Sequence, residues 1–153
     1  MPLSFVTMTD REHADQVLRM MRELYEHDAQ DLRVNPDTFP LTLDRLLSEP
    51  SRGRVVLGML DGAVVGYALL IPYWSNEFGG IVCLLDELLV EEKFRGRGIA
   101  RAFLTFLDEH RPFDAVAIAL EVSARNTRAR ALYEGMGFEP RPLQMMTRRI
   151  IRA

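Results

Sequence analysis

The sequence contains one cysteine, Cys83, so the 153-residue chain has no second thiol for an internal disulfide or for a zinc site built on paired thiolates. It has no apolar run close to the ~20 residues that a membrane-spanning helix needs. Its first residues show no basic segment followed by an apolar stretch, so we expect no secretory signal. The three histidines share no spacing typical of metal ligands, and we expect no metal ion.

Positive charge is not in excess either, since the formal net charge is −3 at pH 7. This balance argues against nucleic acid or an anionic membrane surface as a partner. The chain does contain 48% hydrophobic and 27% charged residues, a composition typical of globular proteins. Its length suits one domain, so we expect a single domain over residues 1–153. A cytoplasmic location is the expectation that fits these features.

Hydrophobic patterning divides the chain into alternating strands and helices. A capping-box pattern from Thr9 to Glu12 predicts the start of a helix that runs to about Tyr25. The dipeptide Asp61-Gly62 between two β-branched runs predicts a tight hairpin. Further helices are predicted over residues 42–48, 98–110 and 126–136, and strands over residues 3–8, 54–60, 63–71, 81–90, 113–122 and 143–151. This order predicts an α/β fold with a mixed sheet and helices packed on it.

The segment from residue 84 to residue 107 carries the most informative motif, in which a strand leads through a glycine-rich turn into a helix. Gly96 and Gly98 let the backbone turn tightly and approach a ligand, while the free amides of the helix start favour an anion. Arg95, Arg97 and Arg101 crowd this positive end, which destabilises the helix slightly unless an anion is bound. The pattern predicts a phosphate or pyrophosphate site, with a ligand-free turn as the alternative.

Two common phosphate-binding patterns do not fit this turn. A P-loop requires Gly-x-x-x-x-Gly-Lys-Ser/Thr, which the sequence does not contain. A dinucleotide fingerprint requires a third glycine where Arg101 stands. The turn therefore belongs to neither of these classes of nucleotide-binding site.

A second informative segment lies downstream. It consists of Leu120-Glu121-Val122 followed by Asn126, Ala129, Leu132, Tyr133, Gly137 and Phe138. Together the two segments resemble the GNAT superfamily of acetyl-CoA-dependent N-acyltransferases. The first matches that family's pyrophosphate loop, Arg/Gln-x-x-Gly-x-Gly/Ala, with Arg95 at its first position and Ala100 at its last. The second matches the family's strand and helix, with an asparagine at the helix start and a tyrosine seven residues later.

The resemblance implies the acyl-CoA N-acyltransferase fold, a mixed and mostly antiparallel central sheet flanked by helices, with acetyl-CoA as co-substrate. It implies that acetyl-CoA binds along two stretches of main chain, the pantetheine arm on the first and the pyrophosphate on the second: Leu88, Leu89 and Val90; Arg95, Gly96, Arg97, Gly98, Ile99 and Ala100. It also implies a hydrogen bond from Asn126 to the same molecule and a place for Tyr133 beside the thioester sulfur, where the phenol protonates the departing thiolate. Without the resemblance, the pattern predicts a helix N-cap at Asn126 and a core aromatic at Tyr133.

Three carboxylates are candidates for the general base. Asp86 and Glu87 are adjacent in an apolar strand, so their side chains are expected on opposite faces, with at least one partly buried. Burial raises a carboxylate pKa towards a useful range. The alternative is that both are ordinary acids on the sheet surface. Glu121 is the third candidate, because some relatives that acetylate protein N-termini use a glutamate at this position.

Acidic and aromatic residues mark the regions that shape the acceptor pocket in this family. They include Tyr25 and a set that we predict to bind the acceptor: Glu26, Asp28, Tyr73, Trp74 and Glu77. Aromatic rings beside acids suit a cationic amine through ion pairs and cation–π contacts. The pattern also resembles the polyamine and diamine acetyltransferase branch, whereas a solvated acidic loop is the alternative.

We therefore predict transfer of an acetyl group from acetyl-CoA to a primary amine of a small, cationic acceptor, by direct attack. Two other functions stay open at this stage. One is acetylation of a protein or peptide N-terminus or lysine, and the other is non-catalytic binding of acyl-CoA. Because dimers are frequent in this superfamily, a homodimer is expected.

Overall fold

Five strands form one sheet in this computed structural model, which describes residues 2–27 and 34–150. They are β1 (Ser4–Thr7), β2 (Arg54–Leu60), β3 (Ala63–Ser75), β4 (Gly80–Val90) and β5 (Ala117–Leu120). The strands are neighbours in chain order, antiparallel from β1 to β4, and β5 pairs with β4 in parallel. This confirms the predicted mixed and mostly antiparallel sheet.

Four α-helices are described: α1 (Ala14–His27), α2 (Phe39–Ser48), α3 (Ile99–His110) and α4 (Thr127–Gly135). Short 3-10 segments cover Pro36–Thr38, Glu92–Phe94 and Pro112–Asp114. Within the described ranges, no helix is long and apolar enough to cross a membrane.

The hairpin between β2 and β3 forms at the predicted dipeptide. Leu60 pairs with Ala63, and the two residues between them, Asp61 and Gly62, have φ of 52° and 78°. Two successive positive φ values match the right-handed twist of the flanking strands, and glycine and aspartate tolerate them better than most residues. The hairpin sets the register of β2 on β3 up to the bulge between Gly58 and Met59.

Helices cover both faces of the sheet. Residues of α1 and α2, including Val17 and Leu43, pack with Val55 and Leu57 of β2 on one face. On the other face the ring of Phe103 from α3 lies against Gly58 of β2, and it contacts Phe5 of β1 with ring centroids 4.5 Å apart. Alternating strand residues are buried on opposite faces in this way, which explains why β2 and β3 are almost continuously apolar.

The chain divides into two compact units, Met1–Glu121 and Val122–Ala153. The first unit contains the sheet and helices α1 to α3, and the second contains α4 and the segment after it. A unit defined by contacts need not fold alone, so a single domain over residues 1–153 stays a prediction.

Two strand predictions are wrong, since one strand is shorter than predicted and the other does not form in the described residues. The strand predicted over residues 113–122 is limited to β5, because Phe113 and Asp114 adopt φ of 62° and 56°, which an extended strand cannot contain. The strand predicted over residues 143–151 is absent from its described part, residues 143–150, where Leu143 and Met146 are exposed. Apolar patterning identified this segment, but a strand also needs a backbone partner that patterning cannot supply.

The first helix begins later than its capping-box pattern predicts. The side chain of Asp10, rather than that of Thr9, accepts a hydrogen bond from the backbone N–H of Glu12, at 2.9 Å. This forms a short turn within residues 10–13, and α1 begins at Ala14. Aspartate competes well for nearby backbone amides, which explains the shift of one helical turn.

Candidate active site

The carboxylate of Glu87 lies between two tyrosines. The hydroxyl of Tyr25 on α1 donates to Oε2 of Glu87 at 2.7 Å, and the hydroxyl of Tyr67 on β3 donates to Oε1 at 2.8 Å. Burial raises the pKa of Glu87, the two hydrogen bonds oppose that rise, and the charge of Asp86 adds to it. Glu87 is therefore a partly buried carboxylate that two hydrogen-bond donors hold in place.

Asp86 occupies a β-bulge in β4. Leu69 pairs with Glu87 and Leu70 pairs with Leu85, so Asp86 is the extra residue without a partner in β3. A bulge breaks the regular alternation of side chains, so the strand period alone does not determine the face on which Asp86 lies, and its predicted position opposite Glu87 stays a prediction. Bulges often redirect a side chain beside an active site, which makes this position a candidate for chemistry.

Glu121 contributes charge to the same neighbourhood. Although Asp86 is exposed, the surrounding protein displaces part of its water and raises its pKa, and the negative charge of Glu121 raises it further. Glu121 directly follows β5, whose last residue, Leu120, pairs with Leu85 next to the bulge. All three predicted base candidates, Asp86, Glu87 and Glu121, are therefore brought together, because the pKa of Tyr25 is also raised by the charge of each.

Tyr67 was not identified from the sequence as a site residue. It lies in an apolar strand and is fully buried, which is how a core aromatic looks. A signal did exist, since a buried tyrosine hydroxyl usually has a hydrogen-bond partner. Identifying that partner as Glu87 required the register between β3 and β4, which the sequence does not contain.

The glycine-rich turn forms an open concave backbone at the start of α3. Gly98 is the N-cap with φ of 78°, and no side chain caps the helix there. A Cβ atom added at Gly98 would meet no other heavy atom within 4 Å. Uncapped amides at a positive helix end, beside open space, suit an anion.

Arg95 holds this turn to the rest of the first unit. Its Nε donates to the backbone oxygen of Val90 at 2.8 Å, and its Nη2 lies 3.6 Å from Oε1 of Glu23 on α1. The first contact ties the turn to the last residue of β4, and the second ties it to the helix that carries Tyr25. One arginine therefore connects the turn to two of the elements that hold Glu87.

The stretch predicted to bind pantetheine lies at the end of β4. Pairing between β4 and β5 ends at Leu85 and Leu120, where β5 itself ends, and β4 continues to Val90. Leu88, Leu89 and Val90 pair with β3 on their other side. Their backbone therefore extends beyond the parallel pairing, although the oxygen of Val90 already accepts the Arg95 hydrogen bond.

Asn126 and Tyr133 lie in the second unit. The side chain of Asn126 accepts from the backbone N–H of Ala129 at 3.2 Å, so it is an N-cap of α4. The ring of Tyr133 contacts Phe138 edge to face, with centroids 5.9 Å apart. Asn126 therefore caps the helix, whereas Tyr133 is only half-buried, and the roles of both residues toward acetyl-CoA stay predictions.

The residues predicted to bind the acceptor are spread along the first unit. Glu26 is an exposed residue of α1, and Asp28 lies outside the described residues. Tyr73 and Trp74 are 46% and 69% exposed near the end of β3, and Glu77 lies in the turn that follows. Since Leu69 is the β3 residue opposite Glu87, Tyr73 is four residues, or ~13 Å, further along the strand. The structure does not bring this pair of aromatics to Glu87.

Comparison with known proteins agrees with these features. The model of the acetyltransferase (GNAT) family matches residues 18–138, a range that includes the Glu87 site, the glycine-rich turn and α4. No curated protein sequence matches the chain at a significant level.

Solved structures resemble this fold closely at low sequence identity. A possible acetyltransferase from Clostridium difficile 630 has a TM-score of 0.82 and 16% identity, covering 99% of this chain and 100% of that one. The aminoglycoside acetyltransferase AAC(6')-Iy, in complex with a bisubstrate analogue, has a TM-score of 0.78 and 17% identity, covering 99% and 100%. A ribosomal-protein-alanine N-acetyltransferase from Brucella melitensis biovar Abortus 2308 has a TM-score of 0.74 and 18% identity, covering 96% and 99%. These likenesses confirm the fold, and the family match over most of the chain shows that this protein belongs to the GNAT acetyltransferase family.

Proposed function

We propose that this acetyltransferase transfers an acetyl group from acetyl-CoA to a primary amine of a small, cationic acceptor, by direct attack of the amine. The observation that carries the proposal is the grouping of Asp86, Glu87 and Glu121 beside two tyrosine hydroxyls. Concentrated negative charge in a partly buried site attracts a positively charged molecule. We infer the reaction from the family and the class of acceptor from this negative charge.

The glycine-rich turn fits the pyrophosphate of acetyl-CoA. At Gly98 the backbone has the conformation and the open space that a closely approaching phosphate needs, and a Cβ there would fill that space. The amides from Arg95 to Ala100 would hold the pyrophosphate, and Leu88 to Val90 would pair with the pantetheine arm. Acetyl-CoA supplies a thioester carbonyl that an amine can attack.

The acidic residues have two tasks toward an amine. At neutral pH a primary aliphatic amine is mostly charged, and it must lose a proton before it attacks. A carboxylate first attracts the cation and then accepts that proton, directly or through water. Asp86 and Glu87 both have raised pKa values, which makes either a better proton acceptor than an ordinary surface acid.

Tyr133 is proposed as the general acid, and this assignment rests on its place in the second motif. Its phenol would protonate the departing thiolate, as a positioned acid does in acyl transfer. Asn126 would contact acetyl-CoA in addition to capping α4. Neither role follows from a contact within the second unit.

Two of the structural neighbours support different acceptors. AAC(6')-Iy is named as an aminoglycoside N-acetyltransferase, and an acceptor with several amines is cationic, in agreement with the acidic site. The ribosomal-protein-alanine N-acetyltransferase favours a second candidate function, the acetylation of a protein N-terminus. The exposed rings of Tyr73 and Trp74 could contact such a longer acceptor.

A panel of amines tests the proposal. Release of free CoA is followed with diamines, polyamines, amino sugars, monoamines with neutral tails, and peptides with a free N-terminus. We expect the highest kcat/KM for the acceptors with two or more charges. A higher kcat/KM for peptides would establish the second candidate, and binding of acetyl-CoA without release of CoA would indicate a non-catalytic domain.

A further inference from the structure

The two phenols occupy both oxygens of the Glu87 carboxylate. Oε2 accepts from Tyr25 and Oε1 accepts from Tyr67, at 2.7 and 2.8 Å. The donors belong to different elements, α1 and β3, while Glu87 belongs to β4. The orientation of the carboxylate is therefore fixed by the packing of three elements and not by its own rotamer alone.

Both phenols remain protonated donors. Burial and the negative charge of Glu87 raise the pKa of Tyr25 and of Tyr67 above the usual tyrosine value. Tyr67 is fully buried, so no water can replace Glu87 as the acceptor of its hydrogen bond. Among the described residues, the groups beside Glu87 are two neutral donors from α1 and β3 and one carboxylate, Asp86, on its own strand.

Proton uptake by Glu87 would disrupt this arrangement. A protonated carboxyl group has one oxygen that carries the hydrogen, and that oxygen accepts a phenol hydrogen bond poorly. One of the two phenols would then lose its acceptor in a buried place, which is unfavourable. Asp86 lies at the bulge next to Glu87, and the hydroxyls of Tyr25 and Tyr67 donate to Glu87 rather than to Asp86.

We propose that Tyr25 and Tyr67 are positioning residues that keep Glu87 as a fixed anion, so that Glu87 binds the second ammonium group of a di- or polyamine while Asp86 accepts the proton of the attacking amine. This inference rests on the proposed function, because it needs an acceptor with two amines. Each of the two adjacent carboxylates then has one task, the binding of an ammonium group for Glu87 and the acceptance of a proton for Asp86. Each oxygen of Glu87 retains a lone pair for the ammonium group, since a carboxylate offers about four acceptor positions.

The first readout is the pKa of Glu87 itself. The side-chain carboxyls of a protein labelled with ¹³C-glutamate are titrated by NMR, and the Glu87 signal is assigned by its loss in Glu87→Gln. Removing one phenol in Tyr67→Phe or Tyr25→Phe should raise the Glu87 pKa by about one unit, since a hydrogen bond to a charged group is lost. If Tyr67→Phe fails to fold because Tyr67 is buried, Tyr25→Phe still tests whether a phenol lowers the Glu87 pKa.

The second readout is acceptor preference. We compare kcat/KM for spermidine with kcat/KM for a monoamine of equal length and neutral tail. Tyr67→Phe and Tyr25→Phe should lower this ratio by about tenfold, mainly through KM for spermidine, and Glu87→Gln should remove the preference for spermidine. Val56→Ala, which creates a cavity in β2, is the control for lost stability and should leave the ratio unchanged.

Three results would overturn the inference. An unchanged Glu87 pKa in both phenylalanine variants would show that the phenols do not hold its charge. An unchanged spermidine-to-monoamine ratio in variants whose Glu87 pKa has risen would show that the charge does not select the acceptor. A preference for spermidine that survives in Glu87→Gln would show that Glu87 does not bind the second ammonium group. If the wild-type protein acetylates no amine, the proposed function fails and the assignment of Glu87 to an ammonium group fails with it, while the NMR titration still decides the role of the phenols.

Discussion

The hydroxyl of Tyr67 lies 2.8 Å from Oε1 of Glu87 and donates a hydrogen bond to it across the β3–β4 strand pair. Tyr67 is fully buried, so this contact fixes a charged side chain to the interior of the sheet. It lies next to the bulge at Asp86, where the pairing of β4 with β5 ends. The acidic site is therefore built on rigid strands, and a site on rigid elements keeps its geometry better than one on loops.

Gly98→Val should abolish the rise in melting temperature that acetyl-CoA causes in the wild-type protein. A side chain at this position blocks the close approach of the pyrophosphate, and binding to the folded state is what raises the melting temperature. Gly62→Val is a matched control, because Gly62 has the same φ of 78° and equally open surroundings. Both variants place a valine at the same positive φ, but only Gly98→Val should lose the shift in a thermal-melting assay. An acetyl-CoA shift of equal size in both variants would contradict the assignment of the turn.

Tyr133→Phe should lower turnover by roughly 10²–10⁴-fold, while the affinity for acetyl-CoA stays unchanged. The variant keeps the ring and its edge-to-face contact with Phe138 but removes the phenolic proton. Loss of general acid catalysis typically has this magnitude. Steady-state kinetics and a direct binding measurement separate the two quantities. Turnover equal to that of the wild type would identify Tyr133 as a packing residue.

Asp86→Asn should lower turnover and raise stability at neutral pH. The folded-state pKa of Asp86 is raised by partial loss of solvent and by the charge of Glu121, so its ionised form disfavours folding. The stability from this group is fully present below the ordinary pKa of 3.8 and is lost as pH rises through the folded-state pKa. The melting temperature of the variant, relative to that of the wild type, should therefore increase as pH rises from about 4 to about 7. A difference in melting temperature that shrinks over this range would have the wrong sign for a raised pKa.

Glu23→Gln should raise KM for acetyl-CoA by about two- to fivefold and leave kcat unchanged. The substitution removes the ion pair between α1 and Arg95, so that of the two described side-chain contacts of Arg95 the hydrogen bond to the oxygen of Val90 remains. A partly exposed pair contributes about 0–1 kcal/mol, which corresponds to a change of this size. Glu49→Gln, which removes ion pairs with Arg45 and Arg52 at the end of α2, is the control and should leave KM unchanged. An equal KM in both variants would show that Glu23 does not position the turn.

Local patterns predicted the parts of the fold that local chemistry determines. Asp61-Gly62 fixed the β2–β3 hairpin, and the apolar runs on either side have the predicted start and end at their hairpin sides. The glycine-rich turn was located for the same reason, because its glycines and arginines are adjacent in the chain. The carboxylates Asp86 and Glu87 were recognised as unusual because each interrupts an apolar strand.

Features that depend on distant partners could not be predicted in this way. The hydrogen bond between Tyr67 and Glu87 requires the register of β3 on β4, and the bulge at Asp86 alters that register by one residue. The strand predicted over residues 143–151 fails for a related reason, since pairing depends on a neighbour and not on the segment's own side chains. Sequence reasoning identified the acids and placed Tyr25 in the acceptor region, and the structure added Tyr67 and the hydrogen bonds of both tyrosines to Glu87.

Competition between acceptors is the measurement that tests the central claim most directly. The protein is given ¹³C-labelled acetyl-CoA with equal concentrations of spermidine, a neutral-tailed monoamine of equal length and a peptide with a free N-terminus, and the products are measured by mass spectrometry. We expect most of the label in spermidine, with an excess that shrinks as salt is added, because partly exposed charges are screened over ~8–10 Å at physiological ionic strength. Label found chiefly in the peptide, or shared equally between spermidine and the monoamine at every salt concentration, would contradict a small cationic acceptor.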